Sequence, residues 1–224
     1  MDRRSLSIYA GLAAPPCAVF GVVLAALFDP SFHWMGSELS HLGERPSGQA
    51  LSVELVVEYP SILLFNGGLI LAGMLGLPFA WLLHDDATHP LERSGATTLT
   101  VAFLGLLAVG AFFQPNPFHV PAWLATVLAT TAFFWIYGAG LLQAGRVRYG
   151  SITIALGLSI VGIWLVWGAY VGGSGMAIPE FTVVAALSGW TFATALRTFE
   201  ATEGRTLQRA LRDLVDRVQT GSAD

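Results

Sequence analysis

Six apolar runs, each long enough or nearly long enough to cross a bilayer, dominate this chain and leave few folds open to it. A spanning helix needs about 20 mostly apolar residues to cover a hydrocarbon core of about 30 Å. The runs are Ile8–Phe28, Pro60–Leu83, Thr97–Phe113, Val120–Leu142, Ile152–Val171 and Ile178–Leu196. One long connection, 29–59, separates the first two, and the others are short. Short connections make sequential helices antiparallel neighbours. The expected fold is therefore an all-α integral membrane protein: a six-transmembrane-helix bundle over 1–199, followed by a cytoplasmic amphipathic tail over 200–224. Charged residues make up only 12% of the chain and mean hydropathy is +0.63, against about 25% charge in soluble proteins.

The first run contains Pro15–Pro16 and exceeds the usual signal-peptide core of about 7 to 15 apolar residues. It reads as a retained helix, bent at the prolines. Every one of the 11 basic residues is arginine, a composition suggestive of a GC-rich, halophilic archaeal source. With the amino terminus inside, all the arginines except Arg45 fall on the cytoplasmic side. That asymmetry sets the orientation, with both termini in the cytoplasm of a multipass protein of the cell membrane. No basic groove or motif calls for nucleic acid. Cys17 lacks a second cysteine in the chain to pair with and lies in an apolar run, so it reads as a packing residue.

Gly68, Ala72 and Gly76 form a small-residue face that lets another helix approach closely. Such faces serve packing within the bundle, self-association, or docking to another membrane protein. Trp34, Trp123, Trp164, Trp167 and Tyr170 near the outer boundary and Trp81 near the inner one read as interfacial anchors. In the tail, Leu207, Leu211, Leu214 and Val218 share a helical face, with Arg205, Arg209, Arg212 and Arg217 interspersed among acids. That pattern suits an inner leaflet with anionic lipids or a partner helix.

Chemically capable side chains collect at the outer end. The long loop carries Ser37, Glu38, Ser40 and His41; Asn66 lies roughly 9 Å inside the second run; His119 follows the third; Glu180 opens the sixth. Polar groups at membrane depth face a bundle interior or a wet cavity. These seven residues form the candidate binding pocket. If Ser37–His41 is helical, Glu38 and His41 share a face and, with His119 or Glu180, offer a divalent-metal set or a histidine base beside an acid. Ser37 and Ser40 serve as caps or as nucleophiles activated by His41. No cofactor is called for. The ordinary readings are a hydrogen-bonded loop around Glu38 and His41, a capping amide at Asn66, and an N-terminal helix carboxylate at Glu180. His84, Asp85, Asp86 and His89 form a second polar group at the opposite end, best read as a solvated turn with helix caps.

Ser37-Glu38-Leu39-Ser40-His41-Leu42-Gly43, then Phe65-Asn66-Gly67-Gly68-Leu69 through Gly73 and Phe79-Ala80, resembles the prokaryotic membrane family termed domain of unknown function 998 (DUF998). That family has an Ile-Ser-Asp-Leu-Gly-like signature after its first helix and a Phe-Asn-x-Gly-Leu-like start to its second. His41 here stands where the family pattern often has aspartate. A fainter similarity, through Ser40 to Gly43, Asn66, Gly110 to Gln114, His119 and Glu180, reaches the six-helix DRAM/Frag/Sfk group associated with lipid handling. The resemblance implies a fold, an outward-facing polar pocket between helices, and a lipid connection. Three functions stand as expectations: a pocket that binds or handles a lipid or amphiphile, a non-catalytic assembly subunit of a membrane complex, or a histidine-and-acid membrane hydrolase working with or without a metal. A transporter fits less well, because the sequence has no evident internal repeat or paired broken helices.

Overall fold

The computed structural model describes residues 2–46, 52–171 and 175–204. Among these residues the chain is helical, with no strand. Seven α-helices follow in order: α1 Arg3–Phe28, α2 Val53–Glu58, α3 Pro60–Asp85, α4 Pro90–Ala111, α5 His119–Gln143, α6 Val147–Val166 and α7 Ala177–Glu203. A 3-10 turn, Leu39–Gly43, lies in the first connection, and a π turn, Trp167–Val171, ends α6. By length and composition α1, α3, α4, α5 and α6 with its π turn are able to cross a membrane. The sixth expected span is the 27-residue α7, whose apolar character is diluted by Glu180, Arg197 and several threonines. Apart from residues 200–204, where α7 finishes, the expected amphipathic tail lies outside the described residues.

Local chemistry sets the helix limits. Asp2 caps α1 by accepting from the Ser5 N–H at 2.7 Å, and that bond holds the Asp2 carboxyl below its usual range. The helix continues through Pro15 and Pro16 and stops before Pro30. Proline at the first helical position, where no N–H is needed, opens α3 and α4. The α5–α6 turn uses Gly145 at φ 78°, and α7 ends on Gly204 at φ 62°. Both values lie in the left-handed region that glycine enters without steric cost.

Neighbours in sequence pack side by side from α3 to α6, while α1 lies between α3 and α7. α7 leans mainly on α1 and touches α5 and α6 less, which leaves space between α7 and the α4–α5 pair. In a bilayer, helices associate through close van der Waals fit, not through escape from water. The small-residue face of α3 supplies that fit inside the chain. A Cβ at Gly68 would stand 2.7 Å from the Cys17 carbonyl oxygen and 2.9 Å from Gly21 Cα, and one at Gly76 would enter the Phe103 ring. The core's aromatic centre is Phe133, Phe134, Tyr137 and Trp190, the last edge-on to Phe133 at 4.8 Å. The Trp190 indole donates to Thr153 Oγ1 at 2.9 Å.

Candidate functional site

The ends of α1, α4 and α6 and the starts of α3, α5 and α7 meet the first connection at one end of the bundle. There the 3-10 turn folds over the helix ends like a plug, pinned by three polar contacts. The Leu39 N–H donates to Glu180 Oε2 at 2.7 Å. Asn66 Nδ2 donates to the Gly43 carbonyl at 3.0 Å and to the Ile62 carbonyl at 3.0 Å. Gln114 Nε2 donates to Ser40 Oγ at 3.0 Å. The start of α7 returns the favour to the loop, because the N–H groups of Met176 and Ala177 donate to the Ser37 carbonyl at 3.1 and 3.0 Å. Trp167 secures the same corner by donating to the Gly175 carbonyl at 2.6 Å.

Beneath this plug lies a cavity of about 50 Å³ between α3, α4, α5 and α7. Its walls are mostly apolar, with Phe65, Leu106, Val127 and Val183 among them, and its polar groups come from Ser40, His119, Thr126 and Glu180. A smaller cavity of about 20 Å³ continues toward the bundle centre and shares Leu106, Thr126, Val183 and Val184 with the first. Trp123 also lines the first cavity, and its buried indole N–H faces the Glu180 carboxylate without reaching normal hydrogen-bond geometry. The ring stands edge-on to Trp164 at 5.8 Å, whose own N–H is unpartnered.

Three of the seven sequence-derived candidates, Ser40, His119 and Glu180, therefore line one cavity. No hydrogen bond joins any two of them among the described residues. His119 Nδ1 engages the Phe112 carbonyl at 3.0 Å, Glu180 is held by Leu39, and Ser40 Oγ lies between Gln114 and Glu38, the latter at 3.3 Å. A serine–histidine–acid relay needs those bonds in sequence. Asn66 is buried behind the plug, with its Oδ1 unpartnered. Gly43 must be glycine there, since a Cβ would sit 2.5 Å from that oxygen.

The other candidates lie elsewhere. Ser37 is buried, and its Oγ accepts from the His33 N–H at 3.1 Å. His41 is exposed and faces Glu44 at 3.4 Å, on a separate open groove with Asp29 and Tyr59. The 3-10 turn begins at Leu39, and Glu38 before it is extended, at φ −87° and ψ 151°. Glu38 and His41 consequently do not share an α-helical face. Among the described residues no three His, Cys, Asp or Glu side chains group closely enough to hold a metal ion. At the opposite end, the polar group 84–89 is divided among separate duties. Asp86 pairs with Arg4 at 2.7 Å, His84 faces Asp85 at 3.6 Å, and His89 accepts from the Leu91 N–H at 3.2 Å.

Sequence reading passed over the groups that pin the plug, which are mainly backbone: the Leu39 N–H and the carbonyls of Ser37 and Gly43. It also treated Trp123 as an anchor and left Thr126 aside. A signal was present, because His119, Trp123, Thr126 and Thr130 recur at helical spacing on one face of α5. Trp167, expected at the interface, is buried, whereas Tyr170, Trp34 and Trp81 are exposed as interfacial anchors would be.

A family model described as "Protein of unknown function (DUF998)" matches residues 12–197 of the chain. No curated protein and no solved structure matches it. The likeness to the DRAM/Frag/Sfk group is not shown by these comparisons.

Proposed function

This chain belongs to the DUF998 family, whose function is unknown, and from that premise we propose that it is a six-span membrane protein that accommodates an amphiphile from the outer leaflet. Both termini then lie in the cytoplasm, and the Leu39–Gly43 plug faces outward across the plasma membrane. The observation that carries this reading is the cavity that gathers Ser40, His119 and Glu180 around an otherwise apolar wall, with the Trp123 indole N–H facing Glu180 beside them. A polar head would meet those groups and an acyl chain would run inward along Leu106 and Val183. At about 50 Å³ the space is well below the roughly 150 Å³ that accepts a benzene ring. Occupancy therefore requires the plug or α7 to shift, which places the Leu39–Glu180 bond at the entrance.

The hydrolase reading finds less support, since the three polar candidates point at different partners. The small-residue face of α3 is filled from within the chain, so self-association would need another surface.

Photoactivatable phospholipid, added to purified full-length protein and mapped after irradiation, tests the proposal. Labelling should fall on cavity residues such as Val127 and Val183, and Val183→Phe should suppress it. Labelling confined to outward residues such as Leu24 and Leu165, and indifferent to that substitution, would reject it.

A further inference from the structure

The opposite end of the bundle carries a second feature, an open groove of about 520 Å³ where the α5–α6 turn meets the end of α7. Arg146, Arg148 and Arg197 line it, together with Tyr149. Two of the three arginines are held in place. Arg146 is anchored to the buried Glu92 and to Thr88 Oγ1. The Arg197 guanidinium lies over the Tyr149 ring at 3.9 Å, and Tyr149 is itself tied through its hydroxyl to Thr194 Oγ1 at 3.2 Å. A stacked guanidinium keeps its N–H edges available for oxygen ligands. Glu92 answers the charge of Arg146, while Arg148 and Arg197 form no ion pair among the described residues. Glu200, one turn beyond Arg197, is exposed and makes no salt bridge with it among the described residues. The first turn of α6 has no acidic side chain and no side-chain cap, so its N–H groups add to the positive field. On the other side of the groove lie the exposed Val147 and Ile152, apolar surface that continues along α6.

We infer that this groove binds a phosphate-bearing anion between Arg148 and Arg197, its chemistry matching the headgroup of an anionic phospholipid whose chains lie along α6. Arginine forks match phosphate oxygens bidentately, and basic pockets at helix ends on the cytoplasmic side are suited to acidic headgroups. Arg146 serves as a fixed wall, since its charge is already engaged. The site is at the other end of the bundle from the cavity above and does not depend on its occupant.

Native mass spectrometry of the full chain in neutral detergent, titrated separately with phosphatidylglycerol, phosphatidylcholine and inorganic phosphate, tests the assignment. Phosphatidylglycerol should bind more tightly than phosphatidylcholine by about twenty-five-fold, at roughly fivefold for each of the two arginines. Arg148→Gln with Arg197→Gln should abolish that preference, Arg197→Lys should retain part of it, and Arg3→Gln, altering an arginine at the same end, should leave it intact. Displacement of bound lipid by inorganic phosphate assigns the groove to a soluble phosphate, and resistance to displacement assigns it to lipid; either result upholds an anion site on these arginines. Preference that survives the double substitution, or that falls equally with Arg3→Gln, overturns the proposal.

Discussion

The backbone N–H of Leu39 and the carboxylate of Glu180, 141 residues apart in the chain, meet at 2.7 Å in a buried hydrogen bond. Because Glu180 also stands in the first turn of α7, one side chain joins the plug to that helix. Truncation by Glu180→Ala leaves the Leu39 N–H buried without a partner, at a cost of about 1–3 kcal/mol. Glu180→Gln keeps an acceptor oxygen and should cost less. Unfolding in mixed micelles measures both, and equal stability of the alanine variant and the native chain would show that the bond contributes nothing.

At the other end, Glu92 is buried and paired with Arg146, whose side chain is 47% exposed. Removing the arginine strands a carboxylate in the bundle, whereas Glu92→Gln leaves a neutral amide still able to bond Thr88 and leaves a cation that can reach water. Arg146→Ala should therefore be the more damaging change, by about 3 kcal/mol, at the low end for a buried pair because one partner is half solvated. A double variant less impaired than the sum of the two singles would confirm direct coupling.

The Gly21–Gly68 contact requires the absence of a side chain, since a Cβ at Gly68 would press on α1 backbone at 2.7 and 2.9 Å. Gly68→Ala should destabilise the bundle by about 1–3 kcal/mol as α1 and α3 are forced apart. The adjacent Gly67→Ala meets only Leu63 at 3.7 Å, an ordinary contact, and should be tolerated. Thermal aggregation of the two variants in the same detergent provides the comparison, and equal midpoints would contradict the packing argument.

Topology is open to cysteine mapping in a Cys17→Ser background. A membrane-impermeant maleimide applied to intact cells should label Ser31→Cys and miss Asp85→Cys. On the proposed six-span topology, in which α7 returns the chain to the side on which it began, Asp2→Cys and Thr202→Cys should both stay protected until the cells are permeabilised. Labelling of Thr202→Cys from outside would reduce the spans to five.

Much of the fold was written in the sequence, because each helix is declared by its own residues. The apolar runs placed the six long helices, and their true ends differ mainly where polar residues such as Arg3 to Ser7 or Pro90 to Ala96 extend a helix beyond its apolar stretch. The first connection was harder to read. A 3-10 turn and a six-residue helix carry little periodic signal, and the Leu39–Gly43 turn is held by distant partners that no local pattern announces. For the candidate site, depth was the informative quantity: Glu180, Asn66 and His119 are indeed buried. Which of them share a cavity depends on how α7 settles against α1, and that is a property of the whole bundle. The pairing of Glu38 with His41 was expected from α-helical spacing and is absent because the turn starts one residue after Glu38.

That the plug draws its ties from both halves of the chain also bears on biogenesis. A ribosome delivers Leu39 to Gly43 long before it delivers Glu180, and domains assemble in the order in which their parts emerge. Until α7 has emerged, the Leu39 amide lacks its Glu180 acceptor and the Ser37 carbonyl has no helix start to cap. The end of the bundle beneath the plug consequently lacks these ties through most of synthesis, and on the proposed topology it closes only when α7 takes its place.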